Sequence, residues 1–152
     1  MRTLRLLLIC GTLLTGLSAP LSAQAPDFAE TKKRAEAGNL AAQYNLGVMY
    51  ATGNGVPKDD AEAVKWFRKA ADQGHAHAQF NLGVRYQYGF GVPTDDAEAY
   101  AWYNLAATSD DDSRKRRDEL EKSLTPEQKA RAQQRSTELH KEIEARKKAA
   151  GK

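Results

Sequence analysis

Three histidines, His75, His77 and His140, are the side chains best suited to hold a metal or move a proton. His75 and His77 stand two residues apart. On a helix that spacing turns them about 200° from one another, whereas two ligands on one face need i, i+4. No H-E-x-x-H stretch is present. The histidines therefore predict no metal and no cofactor, and His75 reads as a surface residue of a first helical turn. Carboxylates come in adjacent pairs, Asp59-Asp60 and Asp95-Asp96. Neighbouring carboxylates do not converge on one atom, and each pair opens a helical pattern, so capping is expected rather than acid–base work. Neither G-x-S-x-G nor a phosphate loop occurs. The single cysteine, Cys10, falls in a segment read below as a removable leader. A disulfide framework, a cysteine zinc site and a cysteine nucleophile are thus not expected in the mature chain. No catalytic residue is predicted, and the chain reads as a non-enzyme.

The sharpest basic run, Arg114-Lys-Arg-Arg117, follows Asp110-Asp-Asp112 and precedes Asp118-Glu119, which suits a solvated helix face. Across 152 residues there are 23 basic and 20 acidic side chains; without Arg2 and Arg5 the basic count is 21. That near balance gives no bulk field for nucleic acid. Trp66/Trp102, Phe67/Tyr103 and Tyr50/Tyr86 recur at one period, which points to stacked core rather than a carbohydrate site or aromatic cage.

The elements that carry these residues begin after an address. Met1–Arg5 is basic, Leu6–Leu17 is apolar and uncharged, and Ser22-Ala-Gln-Ala25 is a small-residue exit. The pattern predicts a signal peptide over 1–23, with cleavage after Ala23; cleavage after Ala25 would place Pro26 just past the cut. The apolar run is too short to span a bilayer, and no second one follows. The mature protein is expected to be periplasmic or secreted, without stable membrane insertion.

Residues 35–70 align without gaps on 71–106, and 20 of the 36 positions are identical. Each unit reads as two helices. The first runs from Asn39 to Thr52, or His75 to Tyr88, with Ala42, Leu46 and Tyr50 at helical spacing. Gly47 and Gly83 sit in mid-helix, where glycine costs about 1 kcal/mol against alanine, so a neighbouring helix is expected to cross closely there. Gly53-Asn-Gly-Val-Pro57 ends the helix. Asp59 with Glu62, and Asp95 with Glu98, have capping-box spacing and open the second helices. A lone cap helix is expected over 26–37, the repeats over 38–108, and a helical cap with a charged tail over 109–152. In that tail Thr125, Pro126 and Gln128 mark a helix start. The final helix carries only Leu139 and Ile143 as larger apolar residues, so it is expected to be mostly solvated, with pairs such as Glu127–Arg131, Glu142–Arg146 and Glu144–Lys148.

Ala42-Gln-Tyr-Asn-Leu-Gly-Val-Met-Tyr50, Gly53-Asn-Gly-Val-Pro57 and Ala61-Glu-Ala-Val-Lys-Trp-Phe-Arg-Lys-Ala70, with their second copies, resemble Sel1-like repeats, relatives of tetratricopeptide repeats. The tail Asp118-Glu-Leu120 … Leu124-Thr-Pro-Glu-Gln128 is similar to the segment that often closes bacterial members. The resemblance implies an all-α, right-handed α-solenoid of two helix-turn-helix repeats with capping helices at both ends. It implies a scaffold for a protein or peptide partner. A cysteine-rich branch of the family implies a second reading, weak β-lactam binding or hydrolysis, but the paired cysteines of that branch are not here. A third reading is an assembly factor that works through the basic C-terminal helix.

The repeats differ along one helical stripe. Ala41, Asn45, Met49 and Thr52 correspond to His77, Asn81, Arg85 and Tyr88. In solenoids of this kind the first helix of each pair lines the concave groove. A constant amide amid variable neighbours suits a peptide backbone held while its side chains are selected. The same amides would equally suit bonds to an adjacent helix or loop of the stack.

Overall fold

The computed structural model describes residues 27–151, so the expected leader and the Pro26 start of the first cap lie outside the described residues. Among the described residues there are seven helices and no strand: α1 (Phe28–Glu36), α2 (Leu40–Thr52), α3 (Asp60–Asp72), α4 (Ala76–Tyr88), α5 (Asp96–Ala106), α6 (Asp111–Ser123) and α7 (Pro126–Ala150). The pairs α2/α3 and α4/α5 are the two repeats of an all-α solenoid. Successive helices pack on one another from α1 to α6.

The caps explain the boundaries. Asn39 accepts from the Ala42 N–H at 2.9 Å, and His75 Nδ1 accepts from the Ala78 N–H at 3.2 Å in the equivalent place. His75 is therefore the N-cap of α4 and half-buried, not an exposed residue of its first turn. Asp59 and Asp95 cap α3 and α5 by accepting from the Glu62 and Glu98 N–H groups. The reciprocal half of the expected box is not formed. The Asp59 and Asp95 N–H groups donate instead to the carbonyls of Tyr50 and Tyr86 at 2.9 Å, which closes each helical hairpin. Among the described residues a complete box forms only at Thr125, where Gln128 bonds back to the cap.

The mid-helix glycines mark the expected close crossings. A Cβ on Gly47 would lie 2.7 Å from the Phe67 ring, and one on Gly83 would lie 2.5 Å from the Tyr103 ring. The recurring glutamines also serve the stack. Buried Gln43 and Gln79 donate to the carbonyls of Ala35 and Ala71, eight residues upstream, which satisfies backbone at the joints between units.

The last helix is mostly exposed, as its sequence predicts, but one narrow side of it docks: α7 lies along α5 and reaches α3, with Ala132, Ser136, Leu139 and Ile143 buried. Leu139 and Ile143 join the cluster that contains Phe67, Leu82 and Trp102. Tertiary partners also replace most of the expected i, i+4 pairs. Arg131 pairs with Asp95, Arg135 with Glu98 at 2.8 Å, and Arg146 with Asp72 at 2.7 Å. Trp66 and Trp102 are both buried, as their repeat positions predicted. The Trp102 N–H donates to Glu98 at 2.9 Å, and the Arg68 guanidinium covers its ring at 4.9 Å.

Candidate functional site

The stripe chosen from the sequence divides into two groups. Ala41, Asn45 and Thr52 on α2 are exposed, as are His77 and Tyr88 on α4, with Asn81 half-exposed between them. Met49 and Arg85 are buried, which removes them from the candidate surface. Helical phase explains this: at 3.6 residues per turn Met49 and Arg85 stand about 80° round from Ala41 and His77, whereas Thr52 and Tyr88 stand only about 20° round and stay exposed. The Met49 methyl would lie 3.1 Å from a Cβ at Gly55. Arg85 reaches back to the preceding repeat, forming an ion pair with Asp60 on α3. Its guanidinium lies 5.7 Å from the rings of both Phe67 and Phe90. Burial pushes the Asp60 carboxyl up, but hydrogen bonding and charge from Arg85, helped by Lys58, hold it below its ordinary value. This cation is thus a tie between repeats.

The two constant amides do not bridge helices. The Asn81 side-chain nitrogen donates to the His77 carbonyl of its own helix at 2.8 Å. His77 lies beside His75, ring centroids 5.9 Å apart, and both approach Tyr44, on which His75 stacks at 4.6 Å. Burial, with a smaller push from His77, keeps the His75 imidazole below its ordinary value, which suits a neutral ring whose Nδ1 must accept. Tyr88 extends the surface to α6, where Arg116 donates to its hydroxyl at 3.1 Å. Phe90 stacks on Tyr88. Arg116 belongs to the basic run read from the sequence as a solvated helix face, and Phe90 was not among the candidate residues. The available signal for Phe90 was a turn residue that changes from Asn54 to an aromatic between otherwise similar repeats.

A hollow of about 370 Å³ opens where Ile143 of α7 meets Gly74 and Leu105. Ser136 and His140 line it one turn apart. No hydrogen bond joins them, and the Ser136 hydroxyl is buried without a partner. Among the described residues no three His, Cys, Asp or Glu side chains converge as a metal site.

Residues 40–75 and 76–111 each match the model of the Sel1 repeat. The period is the one found in the sequence, with the phase moved by five residues. The crystal structure of a Sel1 repeat protein from Oxalobacter formigenes is 39% identical, with a TM-score of 0.57, over 59% of this chain and 68% of that one. The chain belongs to the Sel1 repeat family. This Sel1 chain also resembles a protective antigen of uropathogenic Escherichia coli strains that displays an SLR fold. There the identity is 38% and the TM-score 0.74, over 81% of this chain but 27% of that chain, so it spans about a quarter of that relative's length. A search of curated proteins gives no match. Sel1 repeats generally mediate protein–protein interaction, and the fold is typically a non-catalytic scaffold. Among the described residues no helix is long and apolar enough to cross a membrane.

Proposed function

We propose that this Sel1 protein is exported and acts as a small interaction module, taking a peptide or protein segment across the first-helix face of its repeats. One observation carries the reading. Asn45 and Asn81 occupy the same place in both repeats, are not buried, and bond to no other helix among the described residues, while the exposed neighbours change from Ala41 and Thr52 to His77 and Tyr88. A solvent-accessible amide beside chemically varied side chains suits recognition of an extended backbone with selection at its flanks. Met49 and Arg85 are part of the stack and do not enter the binding face.

Export rests on the basic, apolar and small-residue pattern of residues 1–23. Intact-mass analysis of exported protein should show Gln24 as its first residue, and a species that keeps Met1 would refute export. For binding, partners captured from an envelope extract should be identified and their affinity measured by calorimetry. Asn45→Ala and Asn81→Ala should each weaken the complex while leaving the thermal melt in place. A partner indifferent to both would move the interface off this face.

A further inference from the structure

The two repeats form an internal comparison. With 20 of 36 positions identical, a position that differs is not demanded by their common fold. At the end of the first helix and in its turn, the first repeat has Thr52 and Asn54 where the second has Tyr88 and Phe90. The backbone is the same in both: Gly53 and Gly89 have φ of 76° and 74°, and Gly55 and Gly91 both 76°. The turn thus forms equally well with small polar residues. Yet Tyr88 and Phe90 are the large hydrophobic side chains left exposed among the described residues, at 49% and 46%. Their rings stack with centroids 5.9 Å apart. Two guanidinium groups flank them. Arg85 is committed to Asp60, whereas Arg116 holds the Tyr88 hydroxyl and makes no ion pair among the described residues. Asp112 and Glu119 line the same valley as Arg116, but Asp112 is paired with Lys115 at 3.6 Å.

We infer that Tyr88, Phe90 and Arg116 form an anchoring patch for a peptide segment that carries a carboxylate beside an aromatic or branched aliphatic side chain. This deepens the interaction reading above and rests on it. The stacked rings offer an apolar platform, and the Arg116 fork has the planar geometry that receives a carboxylate through two parallel hydrogen bonds. Bases could also stack on such rings. Phosphate binding, however, draws on a net positive field, and 21 basic against 20 acidic residues beyond Arg5 supply almost none.

The test pans a phage-displayed random heptapeptide library on the full mature chain. The retained peptides are synthesised, and calorimetry is run on the parent, Tyr88→Thr, Phe90→Asn and Arg116→Gln. The first two substitutions install the residues of the first repeat, so the fold is preserved, which a melt verifies. The expected result is enrichment of Asp or Glu within two residues of Phe, Leu or Ile, with each substitution weakening binding about tenfold or more. The Arg116→Gln loss should shrink as salt rises. Peptides that bind all three variants as tightly as the parent, but lose affinity with Asn45→Ala or Asn81→Ala, overturn the patch and leave the groove reading standing. If no peptide is retained, both readings fall, and an oligothymidylate probe that binds instead would make the surface a nucleic-acid platform.

Discussion

Gly83→Ala sets two effects of opposite sign against each other. In an exposed helix the change should stabilise by about 1 kcal/mol, because alanine is the better helix former. Here the new methyl would stand 2.5 Å from two carbons of the Tyr103 ring, where ordinary contact begins near 3.4 Å. The ring must retreat by about 1 Å, a shift of the size that drives overpacking strain. It has little room. Tyr103 is fully buried, lies 5.7 Å from the Phe80 ring, and donates its hydroxyl to Gln87 at 2.9 Å. Overpacking costs about 1–3 kcal/mol and rises with rigidity, so the upper half of that range applies and exceeds the propensity gain. The expected net loss is roughly 1–2 kcal/mol, or several degrees in Tm for a domain of this size. Gly47→Ala should lose less, since its methyl would meet the Phe67 ring at 2.7 Å and that ring has no hydroxyl to anchor it. Urea unfolding of the parent, both single variants, Tyr103→Leu and the Gly83→Ala/Tyr103→Leu pair measures this. With the ring gone the alanine should fit, so the pair should be no less stable than Tyr103→Leu alone. A Gly83→Ala variant more stable than the parent, or strict additivity in the pair, would refute a ring-on-backbone crossing.

Three further outcomes follow from the packing. Arg85→Ala should lower stability by about 1–2 kcal/mol, because it leaves Asp60 with Lys58 alone and uncovers Phe67; a variant that melts like the parent would return this residue to the binding face. Leu139→Ala should cost about 2–5 kcal/mol, since the side chain is fully buried between α7 and the repeats, and a denaturation midpoint near the parent's would mean that α7 is undocked. The folded His75 prefers the neutral form, with a pKa below its ordinary 6.5, so the unfolded chain takes up the proton first. Stability contributed by His75 is therefore present above about pH 6.5 and lost as pH falls through that value toward the folded pKa. Tm measured between pH 7.5 and 5.5 should fall less in His75→Asn, which installs the cap of the first repeat, and an equal fall in both proteins would refute it.

The repeat made most of the fold legible. Identical spacing fixed α2 to α5, the glycine crossings and the buried tryptophans, because each of these follows from residue type at a fixed helical phase. The partner of each capping N–H was less legible: Asp59 and Asp95 look like half of a box, yet their backbone is taken by a carbonyl of the preceding helix, a contact set by the hairpin angle. The docking of α7 was hidden for a similar reason. Two larger apolar residues in 25 suggest a solvated helix, but Ala132 and Ser136 extend the buried face through their small size, and three arginines supply the rest through carboxylates distant in sequence. In the site, exposure at Asn45, His77 and Tyr88 followed the helical stripe. Arg85 did not, because a long side chain can leave the face its Cα suggests and pair in the preceding unit. Phe90 was overlooked because it stands in a turn.

The path of α7 also alters how this molecule should come apart. A repeat array joined only through adjacent units behaves as a one-dimensional chain of weakly linked blocks, able to fray from either end. The pair between Arg146 and Asp72 bridges the last helix and the first repeat, and Ile143 joins the same core as Phe67. Opening the first repeat therefore strips the terminal helix of the contacts at its far end, and detaching that helix exposes surface on both units. Unfolding should be a single cooperative transition, and refolding should be slower than for an open helical array of equal length, since the closing contact waits until nearly the whole chain has been ordered.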